Sequence, residues 1–256
     1  MSRVPEVTVY FWIAKVLTTG MGETTSDFLV HRISPLVAVA FGALGLAVAL
    51  ALQLSLRRYV AWAYWFAVVM VSVFGTMAAD AVHIGLGVPY LASTLFFVVA
   101  LAVIFALWYA SERTLSIHSI HTRRRELFYW ATVLATFALG TAVGDLTAVT
   151  LHLGYLASGI LFAVLMAVPA VAHWRLGLGP VPAFWLAYVV TRPLGASFAD
   201  WGGVSRARGG LDLGTGTVSL ALTVLIVGFV GYLAVTRKDV NDTGIATESA
   251  DTSTTV

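Results

Sequence analysis

Apolar runs separated by polar, glycine or proline breaks predict eight helices, near residues 8–28, 35–56, 60–82, 90–111, 127–150, 155–174, 182–200 and 216–236. The runs match the roughly 20 residues that a helix needs to cross the hydrocarbon core of a bilayer. The odd-numbered helices carry an aromatic–Trp pair, then a Gly, then an Asp, whereas the even-numbered ones are plainer apolar spans. The repeating unit is therefore a helical hairpin of roughly 55 residues, present four times.

The spacing within the unit is invariant. Trp12, Trp65, Trp130 and Trp185 each lie fifteen residues before Asp27, Asp80, Asp145 and Asp200, and Gly22, Gly75, Gly140 and Gly195 lie five before them. Ser26, Ala79, Gly144 and Ala199, the residues just ahead of the acids, are all small. The second and third copies align at an offset of 65, which pairs Tyr90-Leu91-Ala92-Ser93 with Tyr155-Leu156-Ala157-Ser158. The first and fourth align at an offset of 173. Each Gly and small residue form a small-xxx-small pair, which lets helix backbones approach closely. The expected fold is an all-α polytopic membrane protein, with the small faces of the odd helices turned toward a pseudo-symmetric centre.

Arg and Lys set the orientation. Arg3, Arg57, Arg58, Arg113, Arg123, Arg124, Arg125, Arg175, Arg237 and Lys238 share one side, against Arg32, Arg206 and Arg208 on the other. The positive-inside rule then makes both termini cytoplasmic and the four repeats parallel. Each Asp lies about 22 Å beyond its Trp along the helix, in the outer part of the membrane. Composition agrees: 59% of residues are hydrophobic and 11% charged, against about 25% charged in soluble domains. The absence of Cys excludes disulfides, thiolate metal sites and thiol nucleophiles. No cleavable signal, phosphate loop or soluble catalytic domain is legible, and the partners expected are the lipid bilayer and a small ion or molecule, not nucleic acid. Residues 1–236 are expected to form one transmembrane domain (repeats near 8–56, 60–111, 127–174 and 182–236), and 237–256 a disordered cytoplasmic tail.

On Trp12, Trp65, Trp130 and Trp185 with their Gly and Asp partners, residues 8–236 resemble a bacterial family. Its members are inner-membrane proteins built from four tandem two-helix repeats of unknown function. The resemblance implies a bacterial cytoplasmic-membrane location and carries no established activity.

The candidate chemistry lies in what differs between copies. Four residues before each Asp stand Glu23, Thr76, Thr141 and Ala196, so the first repeat alone adds an acid. His31, His83 and His152 follow their Asp by four, three and seven residues, same-face spacings if the helix continues. An acid and a His one turn apart is an arrangement that metal-binding bundles use, which makes Asp80, His83, Asp145 and His152 candidate metal ligands. Lys15 is expected to snorkel to the cytoplasmic interface, and Arg192 to pair with Glu23 or a motif Asp. Thr18, Thr24, Thr25, Thr76, Thr141, Thr147 and Thr150 add hydroxyls near the acids, and Thr in membrane helices mostly bonds its own backbone. Charged groups at membrane depth are costly and mark function by default. Glu23, Asp27, Asp80, Asp145, Asp200, Thr76, Thr141 and Arg192 thus compose a candidate cation-binding set. The leading expectation is a membrane transporter or exporter for a cation, a divalent metal above all, coupled in one version to protons. Carboxylate, hydroxyl and imidazole ligands suit Mn, Fe or Zn. An intramembrane metal-dependent hydrolase and a non-catalytic scaffold or sensor stay open beside it.

Overall fold

A computed structural model describes residues 2–239, which form eight long helices and no strand. They are α1 (Val9–Arg32), α2 (Pro35–Ser55), α3 (Ala61–Asp80), α4 (Tyr90–Glu112), α5 (Arg123–Asp145), α6 (Gly154–Leu176), α7 (Pro180–Gly203) and α8 (Thr215–Thr236). Six of them, α2 to α6 and α8, are long and apolar enough to cross a membrane. The other two, α1 and α7, hold Lys15, Glu23, Asp27, Arg192 and Asp200.

The odd helices close a ring, in which α1 packs on α3, α3 on α5, α5 on α7 and α7 on α1. The motif glycines make the ring possible. A Cβ at Gly22 would stand 1.8 Å from Ser72 Oγ, and one at Gly75 2.7 Å from Phe137 Cβ. A Cβ at Gly140 would stand 2.2 Å from Arg192 Cγ, and one at Gly195 1.8 Å from Thr19 Oγ1. Ser72, Phe137, Arg192 and Thr19 all lie eight residues before the Asp of their own helix. Each motif glycine therefore receives the same position of the next helix, four times around.

By connectivity each repeat is a hairpin, but its two helices splay apart from the loop. The even helix rests chiefly on the next repeat: α2 on α3, α4 on α5, α6 on α7, and α8 back on α1. α4 and α6 touch their own repeat mainly at the π-helical turns Ala81–Gly85 and Leu146–Thr150, which prolong α3 and α5 past their Asp. With the small faces of the odd helices consumed by the ring, the even helices cover its outside. Their outer sides are strongly apolar and exposed, as at Leu36, Phe41, Leu95, Phe96, Val164, Val224 and Val227.

At the end opposite the acids the ring is filled with motif aromatics. Trp65 lies 5.8 Å from Phe11, Trp130 5.5 Å from Tyr64 and Trp185 5.4 Å from Tyr188, between ring centroids. Buried Glu126 draws in the N-terminal segment through Arg3 at 2.5 Å and holds Gln53 at 3.1 Å. Glu6 N donates to Asp239 O at 3.0 Å, and the Tyr59 hydroxyl donates to the Asp239 carboxylate. Burial, reinforced by that bond, pushes the Tyr59 hydroxyl well above its ordinary value. Residues 237–239 are thus docked, with Asp239 buried; the rest of the expected tail lies outside the described residues.

Candidate metal centre and the polar axis

Two of the four repeated acids meet a base. His83 follows Asp80 within the π-helical turn, and its Nε2 lies 3.2 Å from Asp80 Oδ1 and 3.4 Å from Asp145 Oδ2 on the neighbouring α5. Its other nitrogen, Nδ1, is 3.3 Å from Ser93 Oγ of α4, and Tyr90 packs on the ring at 4.6 Å. The Ser93 hydroxyl already donates to the Tyr90 carbonyl at 3.0 Å. Ser93 Oγ must therefore accept from His83, which assigns the hydrogen to Nδ1 by inference from the network. Nε2 is then turned, with its lone pair or an added proton, toward two carboxylates. Such an outer hydrogen bond is what orients a metal-ligating imidazole. One ligand atom from each of Asp80, His83 and Asp145 lies within 4.8 Å of the others. The Asp80 and Asp145 side chains keep 21% and 18% exposure, whereas His83 keeps 1%. The cluster therefore opens toward the Asp end of the ring.

One turn deeper a second cluster closes the axis. Fully buried Arg192 donates through Nη2 to the Glu23 carboxylate and to Thr76 Oγ1, and to Thr141 Oγ1 at 2.8 Å. Its Nη1 reaches the Thr19 carbonyl at 3.4 Å, and Thr76 donates to Glu23 at 3.1 Å. All four odd helices contribute, so the expected pairing of Arg192 with Glu23 is one bond of a ring-wide network.

Lys15 corrects its expectation. Rather than snorkelling it is 1% exposed, with Nζ 3.7 Å from the centroid of Phe137 and 4.0 Å from that of Tyr188. Its helix is an inner one, so the side chain has no route to an interface, and its terminal nitrogen rests against ring faces with no hydrogen-bond partner. Two further expectations do not match the geometry. His152 is exposed with φ 54° in the loop before α6, outside the cluster. His31 is exposed and bonds the backbone carbonyl of Asp27 at 2.6 Å. His31 is still on α1 but its imidazole is held at the backbone of its own helix, whereas the chain has left the helix before His152.

Asp27 is half-buried and Asp200 buried, and neither joins the group of ligand atoms around His83, although Asp145 lies within the electrostatic field of both. Thr18, Thr24 and Thr147 bond backbone carbonyls of their own helices, while Thr25 bonds Ser219 of α8 at 2.5 Å. Thr150 is exposed. Ser93 and Tyr90, which orient His83, carry no candidate chemistry of their own in the sequence; their signal there is the Tyr-Leu-Ala-Ser motif shared with the third repeat. A cavity of about 690 Å³ opens on the flank between α1, α6 and α7, lined by Trp12, Val16, Met166, Pro169 and Phe184 among others. No acid lines it, so it is separate from the ring chemistry.

No curated protein and no solved structure matches the chain. A family model described as Repeat of Unknown Function (DUF347) matches it four times, over residues 10–59, 63–114, 128–177 and 183–239. The matches cover most of the chain and follow the four repeats, and the protein belongs to this repeat family.

Proposed function

We propose that the protein is a multi-pass transporter of the bacterial cytoplasmic membrane that exports a divalent metal ion bound by Asp80, His83 and Asp145. The observation that carries the reading is the placement of His83 Nε2 against two carboxylates from adjacent helices. Two carboxylates and one imidazole suit Mn, Fe or Zn. Two features favour movement of the ion over a fixed structural role. The cluster is reached from the Asp end, and below it the axis is closed by a hydrogen-bonded polar gate of Glu23, Thr76, Thr141 and Arg192 rather than by packed apolar side chains. The exposed apolar sides of the even helices supply the lipid-facing surface. All eight helices would then cross the membrane, with both termini cytoplasmic and the metal cluster on the outer side.

Purified protein is expected to gain thermal stability from Mn²⁺ or Zn²⁺, by about 2.7 kcal/mol at a hundredfold excess over the dissociation constant. Asp80→Asn should abolish the gain, and proteoliposomes should take up the same ion. Melting that is indifferent to every divalent ion tried would end the metal reading. Orientation is tested separately, with single cysteines placed at position 118 and at position 208. An impermeant thiol reagent should reach only the second in intact cells; equal labelling would refute the topology.

A further inference from the structure

The metal cluster uses half of the acid ring. The other half, Asp27 of α1 and Asp200 of α7, has no basic side chain within 4 Å of either carboxylate among the described residues. Asp200 is 7% exposed, and its Oδ1 is fully buried with no hydrogen-bond partner. Its electrostatic surroundings are Glu23 and Asp27 from α1, Asp145 from α5, and Arg192 from its own helix. Tyr155 of α6 also lies within its field. Arg192 is committed to Glu23, and exposed Arg208 donates to the Tyr155 hydroxyl at 2.6 Å. On α8, Thr215–Thr236, there is no Asp, Glu, His, Lys or Arg. The positions equivalent to His83 in the flanking repeats are Val30 and Gly203, so no imidazole answers these acids.

A buried carboxylate with neither a cation nor a donor is too costly as an ion and neutralises instead. A metal ion would need further ligands, and among the described residues Asp80, His83 and Asp145 form the only group of three or more with metal-ligand spacing. A proton needs no cage. Asp27, which lies in the electrostatic field of buried Asp200, is itself half-buried and so keeps access to water at the same end of the ring.

We propose that the Asp27–Asp200 pair is a proton-binding site, separate from the metal cluster in the same ring, and that its proton is the counter-ion exchanged for the divalent cation. On the outer side the carboxylate takes a proton from water and becomes a carboxylic acid. On the inner side the O–H bond breaks and the proton returns to water, while the metal ion moves outward. The exchange rests on the transport reading; the proton site itself does not.

The test uses the full chain. In liposomes carrying an internal pH dye, a Mn²⁺ gradient should drive proton counterflow. Asp200→Asn should keep the Mn²⁺-dependent thermal gain and lose that counterflow to the level of empty liposomes. Counterflow equal to wild type in Asp200→Asn would overturn the exchange. Independently, infrared spectra of metal-free protein at neutral pH should contain the C=O stretch of a buried protonated carboxyl. The band should vanish in Asp200→Asn, or on alkaline titration of the wild type if that variant does not fold. A wild type without the band, or a band that persists in a folded Asp200→Asn, would overturn the proton site. A band present in protein that moves no Mn²⁺ would support the proton site and overturn the exchange.

Discussion

Replacing Gly195 with alanine is expected to prevent the four-helix ring from closing. The new methyl group would lie 1.8 Å from Thr19 Oγ1 and 2.8 Å from the backbone carbonyl of Val16. Thr19 can rotate, but it already donates to that carbonyl at 2.7 Å, and a backbone oxygen moves only if α1 and α7 separate. Overpacking of a close contact typically costs about 1–3 kcal/mol and more where backbone must shift. Every other seam in the ring depends on the same separation. The expected result is loss of monodisperse protein in detergent, or a strongly lowered melting temperature. Gly231→Ala supplies the contrast, since a Cβ on that face of α8 meets open space. Relief of a mid-helix glycine should leave that variant as stable as wild type, or up to about 1 kcal/mol more stable. Equal behaviour of the two variants would show that the ring is not packed through its glycines.

Removing Arg192 alone should be as damaging for a different reason. Arg192→Ala would leave Glu23, 5% exposed, without its cation, and would take a donor from Thr76 and Thr141. Breaking a buried ion pair from one side costs about 3–5 kcal/mol, whereas replacing both partners by groups of similar shape is often neutral. The double variant Glu23→Gln, Arg192→Met should therefore recover much of the lost melting temperature. Thr76 and Thr141 keep their bonds to the carbonyls of Ser72 and Phe137, so neither is stranded by the double change. In liposomes the recovered protein should lose gated Mn²⁺ transport, if the proposed function holds, because the charged pair that closes the axis below Asp80, His83 and Asp145 is gone. A single Arg192→Ala variant that melts like the wild type would contradict the buried pair. A double variant that folds and transports normally would confine the pair to a structural role.

Much of this architecture is legible in the chain itself. Trp, Gly and Asp at one spacing in four copies identify the odd helices, the face they bury and the shared level of Asp27, Asp80, Asp145 and Asp200. Departures from the repeat single out Glu23, His83 and Arg192 as candidates for chemistry beyond the common packing of the ring. These inferences hold because spacing along a helix converts directly into face and height. Spacing says nothing, however, about which helix stands beside which. Four near-equivalent repeats present four near-equivalent faces, and only their packing decides that α1 meets α3 and α7 and that each even helix covers the next repeat. That order places Asp145 rather than His152 beside His83, since the π-helical turns and the loops after them decide which imidazole comes round to the ring. Lys15 illustrates the same limit. Its distance from the helix end permitted an escape to the interface, but the ring encloses α1 on the side where Lys15 projects, and Phe137 and Tyr188 receive its terminal nitrogen. The repeat determined the helices, their inward faces and the level of the acids, because those are properties of one helix at a time. Ring closure decided that Asp145 shares His83 with Asp80, because that depends on a contact between helices distant in sequence, whereas Val30 and Gly203 already left the His83 position empty beside Asp27 and Asp200.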